Sequence, residues 1–283
     1  MNEKYSNDEG GGGGKNSNLE LLRIILMLVI IAHHYVVNSG LSSYIKTKEV
    51  LDIKDVFFIL FGSGGKMAIN CFVIISSYFM CKKEATLDKF VKLLFEVLFY
   101  KIMIYSLFLM NGMEQFSIVR LFNTINPFST ISDNFIGCFL LFYLFIPFLT
   151  KAVSSMNQRE HCGLMVLSIV VFSILPSAGI TSLKFNYITW FSILFIIAAY
   201  IRFYPKKIYS NSKLLALVML MMILLSSTSV VAIACFQRLT KRGMGLGYFF
   251  VADSNKILAL LTAVSVFLFF HNLDLKKMKS SIR

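Results

Sequence analysis

The sequence predicts an all-α fold, a polytopic transmembrane bundle of about eight helices. Three observations predict it. Apolar residues fall in blocks of roughly 17 to 24, about the length that carries a helix across the hydrocarbon core. Hydrophobic residues make up 57% of the 283-residue chain and charged residues only 15%, too few to cover the surface of a soluble domain of that size. Basic residues gather in the short segments between the apolar blocks, as they do in membrane proteins whose loops set topology.

In chain order, residues 1–18 contain the run Gly10 to Gly14 and are otherwise mostly polar, which predicts a flexible cytoplasmic tail. Leu19–Val37 is the first span. It is too long for the apolar stretch of a signal peptide, holds Arg23, His33 and His34, and lacks a small-residue cleavage site. Further spans are expected at Met67–Met80 (with a start that can precede the nearby glycines), Leu87–Met110, Asn134–Thr150, Cys162–Ile180, Tyr187–Tyr204, Leu214–Phe236 and Lys256–His271. Residues 19–273 thus read as a single integral-membrane domain, and 274–283 as a basic cytoplasmic tail.

Charge sets the expected orientation. With the amino terminus in the cytoplasm, the inner segments carry 17 Lys and Arg and the outer ones 9, with Lys66 and Lys101 assigned to neither side. Both termini are therefore expected in the cytoplasm. The cluster Arg238, Lys241, Arg242 runs against this rule. The net charge of +13 is read as a topology signal. Nucleic acid is not an expected partner, because no soluble domain is present to carry a basic groove. Cys71, Cys81, Cys138, Cys162 and Cys235 show no metal-ligand or redox spacing, so neither a metal nor a disulfide is expected.

The residues that could carry chemistry lie on the first span. Arg23 and His34 are eleven positions apart, about three turns plus 20°, so they share one helix face about 16 Å apart along the axis. Glu20 and Asn38 fall near the same stripe. Burying such groups in lipid is unfavourable by several kcal/mol unless they meet partners or a cavity, so the stripe is expected to face the bundle interior. Arg23 alone could reach the headgroups with its long side chain. His34, in register with it and deep in the outer half, suits a general base, because histidine takes a proton near neutral pH. His33 points about 100° away and reads as a packing residue. Gly62-Ser-Gly-Gly65-Lys66 lacks the spacing of a phosphate-binding loop and follows no strand. It suits a bend entering a helix, with Lys66 left as a residue that could face an anionic substrate. Ser76 and Ser77 read as interhelical hydrogen-bonding serines, with an acyl-enzyme role the lesser alternative.

Two stretches carry a family resemblance. Asn18-Leu-Glu-Leu-Leu-Arg23, followed by ten residues and then His34-Tyr35, resembles the first helix of the acyltransferase-3 family of bacterial membrane O-acyltransferases, which modify surface glycans. Gly64-Gly65-Lys66, then Asn70-Cys71-Phe72, then Ile75-Ser76-Ser77-Tyr78-Phe79 resembles a second stretch of that family. Phe142-Tyr143-Leu-Phe-Ile-Pro147-Phe148-Leu149 is a weaker third. The sequence departs from the family at Ser77, where glycine is usual, and around Phe135, where a Trp-Phe pair is usual. Family members commonly continue through further spans, so a copy shortened at its C-terminus is expected.

The resemblance implies a function. An acyl group, acetyl above all, would pass from a cytoplasmic thioester donor to a glycan hydroxyl. His34 would deprotonate the hydroxyl. Arg23 would hold the donor's anionic part or orient the site, and Lys66, Asn70, Glu20 and Asn38 are candidates for lining it. No bound cofactor is implied; acetyl-CoA or a similar acyl thioester would be the co-substrate. The implied partners are membrane lipid, the glycan acceptor and the acyl-CoA donor, and the implied location is the bacterial cytoplasmic membrane. Two other readings stay open from the residues: a transporter or flippase for a glycan or lipid-linked sugar, which also needs charges inside the membrane, and an inactive shortened remnant.

Overall fold

The structure, a computed structural model, describes residues 17–83, 85–126, 135–181, 186–241 and 244–273. The expected basic tail, most of the expected 1–18 tail, and Asn134, Lys184 and Arg242 lie outside the described residues. Every regular element among the described residues is a helix, and no strand occurs there. In order they are α1 (Ser17–Asn38), α2 (Leu41–Thr47), α3 (Ile53–Gly62), α4 (Gly65–Met80), α5 (Leu87–Met110) and α6 (Ile118–Ile125). Then come α7 (Phe135–Ser155), α8 (Gln158–Ile169), a π turn (Val170–Ile174), α9 (Leu175–Ser177), α10 (Tyr187–Phe203), α11 (Ser212–Leu239) and α12 (Ile257–Asn272). A short 3-10 turn, Lys207–Ser210, precedes α11.

Among the described residues, six helical stretches are long and apolar enough to cross a membrane: Ser17–Asn38, Ile53–Met80, Leu87–Met110, Phe135–Ser155, Gln158–Ser177 and Ser212–Leu239. Tyr187–Phe203 and Ile257–Asn272 are shorter apolar helices at the two remaining expected positions. The span expected at Met67–Met80 is only the second half of a bent pair. α3 is launched by a capping box, with Asp52 accepting from the Asp55 amide and Asp55 from the Asp52 amide. It ends at Gly62, and α4 restarts at Gly65. Short polar caps also start α8 (Asn157 with Glu160), α10 (Asn186) and α11 (Asn211).

The chain forms two compact units, interleaved in sequence. The first comprises residues 1–72, 206–252 and 261–283. In it α1 packs against α2 and α3, and α11 against α3. At one end of this unit Asn18 donates to the Leu273 carbonyl, so the described chain starts and finishes at the same end. At the other end Arg238, 8% exposed, donates to the carbonyls of Ala234 (2.8 Å), Ile45 (2.9 Å), Lys48 (3.1 Å) and Gly245 (3.2 Å). That explains one exception in the charge pattern. The guanidinium of Arg238 is taken up by helix-end and loop carbonyls, so it serves structure rather than topology.

The second unit comprises residues 73–205 and 253–260. Its centre is α10, apolar all round and buried almost continuously from Trp190 to Ile201, as a helix without a polar face must be. α7 and α8 pack on it, and Phe135, Phe139, Phe142, Phe191 and Phe195 form a connected aromatic cluster. α5 has no buried residue, which fits a helix whose apolar side chains meet lipid. Pro176 explains the π turn. It offers no amide hydrogen to the carbonyl of Phe172, four residues earlier, and the helix widens there. Asn255 Nδ2 donates to that carbonyl at 2.9 Å, Lys256 Nζ to the Pro176 carbonyl at 2.9 Å, and Ser177 Oγ accepts from the Ile257 amide at 2.9 Å. The start of α12 is thereby tied to the end of α8–α9.

Candidate active site

α1 has two distinct faces. Leu19, Leu22, Leu26 and Val36 are fully buried and form the packed side. Arg23, Glu20, His34 and Asn38 lie roughly 120° around the helix from it. The sequence expects this stripe to face the bundle interior; within the first unit it lies away from the partners of α1. Arg23 and Glu20 are partly open, at 35% and 48% side-chain exposure, and His34 and Asn38 are exposed.

The stripe is organised as two pairs. Arg23 Nη1 donates to Glu20 Oε1 at 2.7 Å, one turn apart. Asn38 Nδ2 lies 3.2 Å from His34 Nδ1. With the amide nitrogen donating, Nδ1 is the acceptor and Nε2 carries the proton. With the amide turned over, Asn38 Oδ1 accepts from Nδ1–H and Nε2 becomes the free base; oxygen and nitrogen of an amide are assigned by such networks. Base catalysis from Nε2 requires the second arrangement, and it gives Asn38 the task of fixing the tautomer.

His33 does something different. Its Nδ1 donates to the Gly62 carbonyl at 2.6 Å, and its ring lies against Gly65. A Cβ on Gly65 would fall on the His33 imidazole, one on Gly64 on Val29, and one on Gly62 on Val36 and the Tyr248 hydroxyl. The glycine run is therefore the surface that receives α1. The absence of side chains at three positions lets the α3–α4 bend come this close. Tyr248 secures the same contact, donating to the Ile59 carbonyl at 2.8 Å. Burial pushes its phenol up from its ordinary range.

Of the α4 candidates, Asn70 is fully buried and Lys66 half-buried. Ser77 is fully buried, and its Oγ has no hydrogen-bond partner among the described residues. The structure thus brings Arg23 to Glu20, His34 to Asn38, and His33 to the glycine bend.

Sequence reasoning treated one arginine only as a loop charge. Arg202, the last residue but one of α10, donates through Nη1 to Tyr78 Oη at 2.8 Å and stacks 4.7 Å from the centre of the Tyr78 ring. The available signal was a lone arginine within the last turn of an otherwise apolar helix.

The acyltransferase-3 family, described as an acyltransferase domain, matches residues 16–282. No curated protein and no solved structure matches the chain.

Proposed function

The chain belongs to the acyltransferase-3 family, and from that premise we propose that this membrane acyltransferase moves an acyl group, acetyl above all, from a thioester donor such as acetyl-CoA to a hydroxyl of a cell-surface glycan. The observation that carries the residue assignment is the pairing of Arg23 with Glu20 and of His34 with Asn38 on one face of α1.

In the reaction, His34 Nε2 takes the proton from the acceptor hydroxyl as its oxygen attacks the thioester carbonyl. The carbon–sulfur bond breaks, an oxygen ester forms, and the imidazolium gives its proton to the leaving thiolate. Nothing is oxidised or reduced. Asn38 holds the imidazole so that Nε2 is the basic nitrogen. Arg23, kept in place by Glu20, supplies positive charge on the same face, nearer the donor's side of the membrane, and orients the donor. Lys66 and Asn70 are secondary binding residues on α4. The bacterial cytoplasmic membrane, with both termini in the cytoplasm, is the location this scheme requires.

The test is release of free CoA by purified protein supplied with acetyl-CoA and with surface glycan from cells lacking the gene, alongside ester analysis of the glycan. Acceptor-dependent thiol release with new ester on the glycan supports the reading. Movement of glycan across vesicles without thioester consumption would instead mark a transporter.

A further inference from the structure

Arg202 is held in a way that its own unit does not complete. Its Nη1 is occupied by the Tyr78 hydroxyl and its plane by the Tyr78 ring. Nε is shut off from solvent and has no acceptor among the described residues, and Nη2 has none there either. Nε and Nη2 form the edge of a guanidinium that matches two oxygens of one phosphate or carboxylate. A charged donor enclosed without an acceptor is unfavourable, and such a group calls for an explanation.

The surroundings name the class of acceptor. Tyr78 and Arg202 sit in the last turns of α4 and α10, and Tyr204 Oη, just beyond α10, donates to the Met156 carbonyl in the turn between α7 and α8. All of these belong to one end of the second unit. Exposed Lys82 and Lys83 follow directly. Cys81 lies between Tyr78 and these lysines; burial pushes its thiol up to about 11, although the charges of Arg202 and Lys82 act on it in the opposite direction. Among the described residues, no salt bridge joins a carboxylate to Arg202. The end is basic, and one arginine in it is pre-oriented by a ring and a hydroxyl.

We propose that the free edge of Arg202, fixed by Tyr78, binds a phosphate group of the acyl thioester donor. The inference rests on the donor chemistry given above. Under the charge-derived topology this end faces the cytoplasm, where a nucleotide thioester is available.

The experiment is binding of coenzyme A, in its free thiol form, to purified protein in neutral detergent, read by calorimetry for the wild type, Arg202→Lys, Tyr78→Phe and Lys213→Gln. Arg202→Lys keeps the charge and loses the two-pronged edge, so affinity should fall roughly tenfold or more, as for loss of a hydrogen bond to a charged group. Tyr78→Phe keeps the ring and loses the hydroxyl, so the fall should be smaller. Lys213, exposed and part of the first unit, is the charge control, and Lys213→Gln should bind nearly as the wild type does. Variants are compared only where each elutes as the wild type does. Wild-type protein that fails to bind coenzyme A, an Arg202→Lys variant of unchanged affinity, or an equal loss in Lys213→Gln would overturn the proposal. So would a loss that appears only when anionic phospholipid is added, since the phosphate bound would then be a lipid headgroup's. The two readings separate cleanly. Arg202-dependent binding without acyl transfer would leave this site standing and the transfer reading in error. Transfer at unchanged coenzyme A affinity in Arg202→Lys would do the reverse.

Discussion

Two adjacent histidines on α1 have opposite surroundings, and their variants should fail in opposite ways. His33 is bonded to the Gly62 carbonyl and packed on Gly65. His33→Ala removes that bond and leaves space in a helix contact, so it should lower the thermal midpoint in detergent, a loss of roughly 1–2 kcal/mol. Transfer per folded molecule should persist. Among the described residues, His34 is hydrogen-bonded to Asn38 alone. Asn38→Leu leaves the base in place but frees its tautomer, so kcat should fall roughly fivefold to tenfold, the worth of a hydrogen bond. An unchanged KM would show that Asn38 positions and does not bind. The shared stripe of Arg23, Glu20, His34 and Asn38 was legible in the sequence because helical spacing alone brings them together. The Asn38–His34 and Glu20–Arg23 contacts are likewise local. The partners of Arg202 and Arg238 were not legible, because Tyr78, Ile45 and Lys48 are more than a hundred residues away in sequence.

At the scale of elements, the bend between α3 and α4 determines how α1 is held. Gly65→Ala places a methyl on the His33 ring and should destabilise the contact by roughly 1–3 kcal/mol. Gly163→Ala on α8 is the matched control. Nothing lies within 4 Å of its Cβ, so it should be neutral or slightly stabilising. Thermal unfolding of the two in parallel checks this, and equal effects would contradict the assigned contact. The loop before α3 carries a pH dependence. Lys48 Nζ contacts Asp52 at 2.9 Å and Asp55 at 2.8 Å. The Asp55 amide, followed by Lys48, holds the Asp52 carboxyl down at about 2, while the two carboxylates push the Lys48 ammonium up. A depressed carboxyl stabilises the folded loop above its ordinary value and loses that contribution as pH falls towards 2. Protease access to this loop should therefore rise as pH falls from about 4 towards 2, and Asp52→Asn should make access less dependent on pH across that window. The sequence announced most helices through their apolar blocks. Its glycine run suited the bend that opens α4, but the helix before that bend was not announced, and the π turn was hidden because the donor that answers Pro176 comes from Asn255.

Across the whole molecule, the ends of the helices alternate within each unit. Asn18 meets Leu273 at one end of the first unit, and Arg238 meets Ile45 at the other. In the second unit Tyr78 meets Arg202 at one end, and Phe172 meets Asn255 at the other. Loop charge predicts which of these ends faces the cytoplasm. Reporter fusions after Lys83 and Lys207 should read as cytoplasmic and one near Lys48 as external; an external signal at Lys83 would reverse the orientation. The apolar spans were legible because length and composition decide them. The shared face of Arg23 and His34 was legible because one helix carries both. Acyl transfer from acetyl-CoA to glycan by purified wild-type protein and by His34→Ala, each first shown to insert normally, tests the central claim most directly. Loss of the base should reduce turnover by roughly 100-fold or more. Wild-type turnover in His34→Ala would contradict it.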